Sequence, residues 1–256
     1  MPKLTGVEQN IKEMYDQYNF GDYCIKRKEV PSFLPLLVEL LRKVKKNDNI
    51  YDIGCGSGRL TRTYLNLGIE KRQITCVDIA AKNIDRLRSE GFKAYRDNVL
   101  RLKLDTNVSD LTICNGVIHH TIDPFCAFSE LVRITKPGGY LYLNVYNKFH
   151  PYYYFVHKLM YPLRYLYWQK KQKKFIDYIV KIIRVLLLPI SYLKFRRILD
   201  EKTLKIIFMD QVMTPRAHLF SKAMIKSYAK KFKLEPEKVE YNCRWLMIAA
   251  IIPITK

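Results

Sequence analysis

Asp52 closes a short apolar run and is followed by Gly54-Cys55-Gly56-Ser57-Gly58, three glycines at alternate positions just before an amphipathic stretch. Glycines at a strand-to-helix turn let the chain bend sharply and leave bare backbone for a ligand. The unpaired N–H groups of the new helix favour an anionic group such as a carboxylate. Position 59 is Arg, where a dinucleotide fingerprint carries Gly, and Gly58 precedes Arg59-Leu60 rather than the Lys-Ser/Thr of a phosphate-binding P-loop, so neither NAD nor ATP is well served. A second apolar run ends at Cys76-Val77-Asp78-Ile79, which puts a carboxylate 20 residues after Gly58. Asp78 can accept hydrogen bonds from both hydroxyls of a ribose and would repel a 2′-phosphate; the simpler alternative is an N-cap for the next helix.

His119 and His120 directly follow a further apolar run, where the carboxyl edge of a parallel sheet faces its ligand. Imidazole titrates nearest neutrality, which makes this pair the candidates for a catalytic base or an orienting group. The alternative is that one caps the next helix or packs beneath the ligand. Asp123-Pro124 reads as a turn and N-cap, and His150, His157 and His218 are further groups that could reach a substrate. The six cysteines, Cys24 to Cys243, show no CxxC spacing, which argues against a metal site and for a reducing compartment.

These residues need a particular scaffold. Short apolar runs at Ile50 to Ile53, Ile74 to Val77, Lys93 to Tyr95, Leu111 to Cys114 and Tyr140 to Val145 alternate with helix-period stretches at Arg59 to Leu67, Ala81 to Glu90 and Phe125 to Thr135. That alternation is the pattern of βαβ units around a mainly parallel sheet. Pro137-Gly138-Gly139 is expected to turn the chain before the fifth strand. Val7 to Tyr18 and Ser32 to Val44 read as helices over the sheet or the ligand mouth. Ser221 to Phe232 reads as a helix with a Ser N-cap, followed by strands at Lys238 to Tyr241 and Trp245 to Ile252.

Taken together, Asp52 to Gly58, Val77-Asp78-Ile79, Asn115-Gly116-Val117-Ile118-His119-His120 and Leu131 to Gly139 resemble the successive motifs of class I S-adenosylmethionine-dependent methyltransferases, over roughly Asp48 to Asn147. The resemblance implies a Rossmann-like α/β fold of seven strands, order 3-2-1-4-5-7-6, mostly parallel with the last strand antiparallel and helices on both faces. It implies S-adenosyl-L-methionine as cofactor and S-adenosyl-L-homocysteine as product. By the same likeness, Asp52, Gly54, Cys55, Gly56 and Gly58 bind the cofactor, with Gly54, Cys55 and Gly56 facing its methionine part, and Asp78 holds the ribose. Ile79 flanks the adenine, Asp97 and Asn98 lie near its amine, and Asn115 lies near the methionine amino group.

The 256 residues suit one domain: N-terminal helices over 1–47, a cofactor-binding core over 48–147, a helical lid insertion over 148–215 and a C-terminal helix and strands over 216–256. The formal net charge of +21 implies an anionic partner, and Lys148 to Lys205 alone carries 14 bases against 3 acids. Eleven aromatics between Phe149 and Tyr178 are interleaved with those bases, and Ile179 to Leu188 adds an apolar, charged run too polar to span a bilayer. Aromatic bodies with basic neighbours suit an anionic membrane surface, and they also suit RNA, where rings stack on bases and cations follow phosphates. The expected function is methyl transfer to a small-molecule or lipid-like acceptor, with a tRNA methyltransferase as the alternative and a non-catalytic scaffold of the same fold behind both. The start of the chain lacks the apolar segment of a secretory signal, so cytoplasmic residence, peripheral on a membrane, is expected.

Overall fold

A computed structural model describes residues 6–18, 34–170, 174–175, 177–179, 181–182, 200–242 and 246–255. Cys24, Cys243, the first residues of the helix expected from Ser32, Trp245 and the run from Ile183 to Leu188 lie outside the described residues. Helices α1 (Gly6–Gln17) and α2 (Pro35–Lys43) lead into β1 (Ile50–Ile53), α3 (Arg59–Tyr64), β2 (Ile74–Asp78), α4 (Ala81–Ser89) and β3 (Lys93–Arg96). Then follow β4 (Ser109–Asn115), α5 (Pro124–Ile134), β5 (Thr135–Tyr146), α6 (Pro151–Leu159), α7 (Tyr161–Trp168), α8 (Glu201–Gln211), α9 (Lys222–Lys231), β6 (Lys238–Asn242) and β7 (Met247–Pro253).

The strands form one sheet in the order β3-β2-β1-β4-β5-β7-β6, parallel from β3 to β5, with β7 antiparallel to both β5 and β6. Strand residues are buried on both faces, as a sheet covered on both sides requires. The pleat sorts them. Leu141, Leu143, Val145, Ile248, Ala250 and Ile252 join Phe128 and Leu131 of α5 and Ile225 and Ala229 of α9. Tyr142, Ala249 and Ile251 join α2, Tyr64 of α3 and Leu87 of α4 on the opposite face.

Two expectations change. The helix expected over Arg59 to Leu67 is α-helical only to Tyr64 and closes in a 3-10 turn at Leu65–Leu67. Pro137-Gly138-Gly139 lies within β5 as an irregularity rather than before it: Ser109 pairs with Thr135, yet Leu111 pairs with Tyr140. Gly138, at φ 82°, gives its N–H to Ile254 O at 2.6 Å, so the bend is held by the chain that leaves β7. The N-terminal helices also separate. α2 packs on the sheet, whereas Met14 and Tyr18, on and just after α1, form a third cluster with Tyr167 and Trp168 of α7, Met209 of α8, and Met213.

Candidate cofactor and acceptor site

β1, β2 and β4 end side by side, and the order reverses between β1 and β4, the place where open α/β sheets receive ligands. The loop after β1 starts with Gly54 and Cys55 both donating N–H to Val77 O, at 2.7 and 3.1 Å. Its three glycines are glycine for different reasons. A Cβ on Gly54 would lie 2.3 Å from Val117 Cγ2, and one on Gly58 2.3 Å from Leu87 Cδ2; both residues have positive φ. These two allow the segment after β4 and helix α4 to close against the turn. Gly56, at φ 57°, faces open space, with no atom within 4 Å of a Cβ built there. It is the bare-backbone cradle.

The Gly56 N–H donates to Asp78 Oδ2 at 2.8 Å, while Asp78 Oδ1 accepts from Ala80 N at 2.8 Å and Asn83 Nδ2 at 3.2 Å. The carboxylate is thus fixed at the carboxyl end of β2 beside the open glycine. A carboxylate offers about four lone-pair sites, and three are used, leaving one on Oδ2 toward Gly56. Burial raises the Asp78 pKa, while the bonds from Ala80, Gly56 and Asn83 hold it down. An acid kept in place beside an open stretch of backbone is the arrangement a ribose and an adjoining carboxylate fit. The helix-cap alternative is partly realised as well: Asp78 serves the first turn of α4 through Ala80 N and Asn83.

Asp52 points elsewhere. Its Oδ2 accepts from Thr61 Oγ1 at 2.6 Å and Tyr64 OH at 3.3 Å, which fastens β1 to α3. Burial pushes its pKa up to about 6, against the lowering effect of those two hydroxyls. The folded value lies above the unfolded one, so the native state binds this proton more tightly, and stability is lost as pH rises from about 4 through about 6. The loss amounts to up to about 3 kcal/mol. Asp52→Asn is expected to remove that slope, read from urea unfolding midpoints at pH 4 to 8.

Asp97 and Asn98 organise the chain after β3. Asp97 accepts from Asn98 N and Lys103 N, and Asn98 takes Leu100 N while donating to Glu8 Oε1 of α1 at 3.1 Å. Ile79 lies between Asp78 and the start of α4, and its carbonyl accepts from Arg96 Nε. Cys55 follows Gly54 in the loop, its thiol pKa raised chiefly by Cys76 and by burial. Asn115 ends β4, its Oδ1 accepting from Asn144 Nδ2 at 2.8 Å. Asn83 and Tyr15 were not expected from sequence. Asn83 was hidden among helix residues, and Tyr15 of α1 has its pKa raised by burial and, after that, by the charges of Asp210 and Asp78.

His119 and His120 occupy a 3-10 turn after β4, and neither caps α5; that is done by Asp123, whose Oδ1 accepts from Phe125 N and Cys126 N. All five histidines of the chain converge here. The His119 ring lies 3.8 Å from that of Tyr146 and 4.2 Å from that of His120; Tyr146 stacks on Tyr153 of α6 at 4.2 Å, and Tyr153 neighbours His150 and His157. The segment after α8 closes on this group. His218 N donates to His119 O at 2.7 Å, and His120 Nδ1 lies 3.1 Å from both Arg216 O and Thr214 Oγ1. Facing a carbonyl, His120 Nδ1 carries the proton. Both ring nitrogens of His119 and the Nε2 of His157 are buried without a hydrogen-bond partner. Leaving such an atom unpaired costs about 1–3 kcal/mol. Burial lowers the pKa of His119 well below the usual value and brings His120 and His157 to about 4, so these three are neutral at pH 7. Among the described residues, no three His, Cys, Asp or Glu side chains are arranged to hold a metal ion.

Comparison with known proteins agrees with this geometry. Residues 51–143 match the family described as a methyltransferase domain. The chain is 30% identical over 106 residues to a ubiquinone biosynthesis O-methyltransferase of Xanthomonas oryzae pv. oryzae, covering 39% of this chain and 43% of that protein. It is 31% identical over 108 residues to a tRNA (carboxymethyluridine(34)-5-O)-methyltransferase of Macaca fascicularis, covering 41% of this chain and 16% of that one. It therefore spans less than half the length of either relative. A solved SAM-dependent methyltransferase from Thermotoga maritima shares the fold, with a TM-score of 0.53 and 14% identity over 95% of this chain and 99% of that one.

Proposed function

We infer, for a chain that carries a class I S-adenosylmethionine-dependent methyltransferase domain, that it binds S-adenosyl-L-methionine between Gly56 and Asp78 and methylates a small-molecule or lipid-like acceptor. The observation that carries this reading is the open backbone at Gly56 hydrogen-bonded to a buried, anchored carboxylate. The cofactor supplies an activated methyl on a sulfonium, so alignment and exclusion of water are the protein's main tasks. Asp78 Oδ2 receives the ribose, the Gly56 backbone lies under the methionine part, and Asn115, steadied by Asn144, presents its amide at the end of β4. Asp97 and Asn98 shape the adenine side, with Glu8 of α1 tying that loop down. The acceptor sits beside His119 and His120, and α6 and α7 cover it as a lid.

That lid also carries the apolar surface of the molecule. Of eleven exposed large hydrophobic side chains among the described residues, eight lie between Phe149 and Ile182. Lys158, Lys170, Lys174 and Lys181 are exposed among them, and Asp177 is paired with Lys205 at 2.6 Å. Aromatic bodies next to lysines suit an anionic lipid surface, and no described helix is long and apolar enough to cross a membrane. The O-methyltransferase relative fits a small acceptor, and the tRNA methyltransferase relative keeps RNA as the second reading. The protein is expected to sediment with phosphatidylglycerol vesicles and not with phosphatidylcholine vesicles, and Leu159→Ser with Tyr161→Ser is expected to release it. When methyl-labelled cofactor is offered with a total lipid extract or with total tRNA, label is expected in the lipid phase. Label in tRNA, with no vesicle binding, would reverse the two readings.

A further inference from the structure

We propose that His119 is the residue that contacts the methyl acceptor and takes its proton, that His120 is a positioning residue, and that the acceptor is a planar ring bearing a phenolic hydroxyl. This rests on the methyltransferase reading above. The two adjacent histidines are in opposite circumstances. His120 is committed: its Nδ1 is held by Arg216 O and Thr214 Oγ1. His119 is fully buried, with neither ring nitrogen bonded, which leaves a donor and an acceptor for a ligand to satisfy.

The surroundings select the ligand. His119, Tyr146 and Tyr153 form a column of rings 3.8 and 4.2 Å apart, tilted by 30° and 24°, on which a further planar ring can stack. His157, beside Tyr153, adds a second unpartnered nitrogen for another hydroxyl. Two cations border the group: Arg164 donates to the carbonyls of Val156, His157 and Val212, and Arg216 donates through Nε to His218 Nε2 at 3.3 Å. A phenolic hydroxyl finds its partners in the unbonded ring nitrogens of His119 and His157. The segment from Thr214 to His218 has no regular secondary structure and borders both histidines, through His218 N to His119 O and through Arg216 O and Thr214 Oγ1 to His120 Nδ1, so it forms the wall the ring would meet.

In the step itself, the phenolic O–H proton passes to the unprotonated ring nitrogen of His119 as an oxygen lone pair forms the new O–C bond. The bond between that methyl carbon and the sulfonium sulfur breaks with its electron pair going to sulfur, which becomes a neutral thioether. His119 then returns the proton to water. Whether the ring is free or carried on a lipid tail, the recognising chemistry is the same.

Catechol, with and without an alkyl tail, is the probe. In the wild-type protein loaded with S-adenosyl-L-homocysteine, catechol is expected to shift the His119 ring resonances in ¹H–¹⁵N spectra and to leave those of His120 in place. His119→Gln is expected to keep homocysteine-product binding by calorimetry and to lower kcat for catechol by about 10²- to 10³-fold with KM changed little. His120→Gln is expected to change KM more than kcat. Wild-type activity is expected to persist below pH 6.5, because the base stays neutral there. If the product analogue binds and catechol neither binds nor moves His119, or if His119→Gln retains full kcat, the assignment fails while the methyltransferase reading stands. If the product analogue itself does not bind the folded protein, the underlying reading fails. A tailed catechol turned over only in vesicles assigns the lipid source; a bare catechol turned over equally well assigns the free one.

Discussion

Asp78→Asn is expected to weaken binding of S-adenosyl-L-homocysteine by about 30- to 150-fold while the protein stays folded. Asp78 occupies the one position where three local donors, Gly56 N, Ala80 N and Asn83 Nδ2, converge on a buried carboxylate and leave a lone pair toward the open glycine. An asparagine replaces one acceptor oxygen by a donor. Whichever way it turns, an NH2 group then faces a backbone N–H. The charge-assisted bond to the ribose is lost together with the anchor, and about 2–3 kcal/mol corresponds to that range. The check is calorimetry beside thermal melting, since Asp78 also serves the first turn of α4 and a small fall in stability is expected.

Acidification is expected to loosen the histidine cluster before it affects the sheet. His119, His120, His157 and His218 all have pKa values lowered by burial, and His120 reaches about 4. For a base whose folded value lies below its unfolded one, the unfolded chain takes up the proton first, so stability is lost as pH falls from 6.5 toward 4. For His120 alone the loss is about 1.4 kcal/mol per pH unit across that window. Asp52 acts in the opposite direction between about 6 and 4, but it is one group against four. Urea midpoints are therefore expected to fall between pH 6.5 and 4.5, and His120→Gln to flatten the slope. An unchanged slope in that variant would place the proton uptake elsewhere. Salt bridges of Glu39, Glu70, Glu90 and Glu130, whose pKa values are lowered, weaken at still lower pH.

How much of this was legible beforehand depends on the range of the interaction. The strand runs and the N-caps at Asp123 and Ser221 are local matters of side-chain pattern and cap chemistry, and the structure places them where the sequence does. The strand order came through the resemblance and is realised in full. The glycine loop was readable as a loop, but not that Gly54 and Gly58 make room for Val117 and Leu87 while Gly56 between them stays open, because those neighbours come from the turn after β4 and from α4. The three-residue irregularity in β5 depends on a carbonyl beyond β7, far along the chain. The gathering of all five histidines was invisible for the same reason: His150 and His157 arrive on α6 and His218 on the segment before α9, each brought by the closing of the sheet edge. The union of α1 with α7 and α8 likewise rests on Met14, Tyr18, Trp168 and Met209, whose apolar character is plain and whose partners are not.

The most direct measurement is isothermal titration of the unmutated protein with S-adenosyl-L-homocysteine, alongside Asp78→Ala. The account predicts saturable one-to-one binding to the wild type and none to the variant. A folded wild-type protein that shows no binding, or an Asp78→Ala protein that binds as well as the wild type, would contradict it.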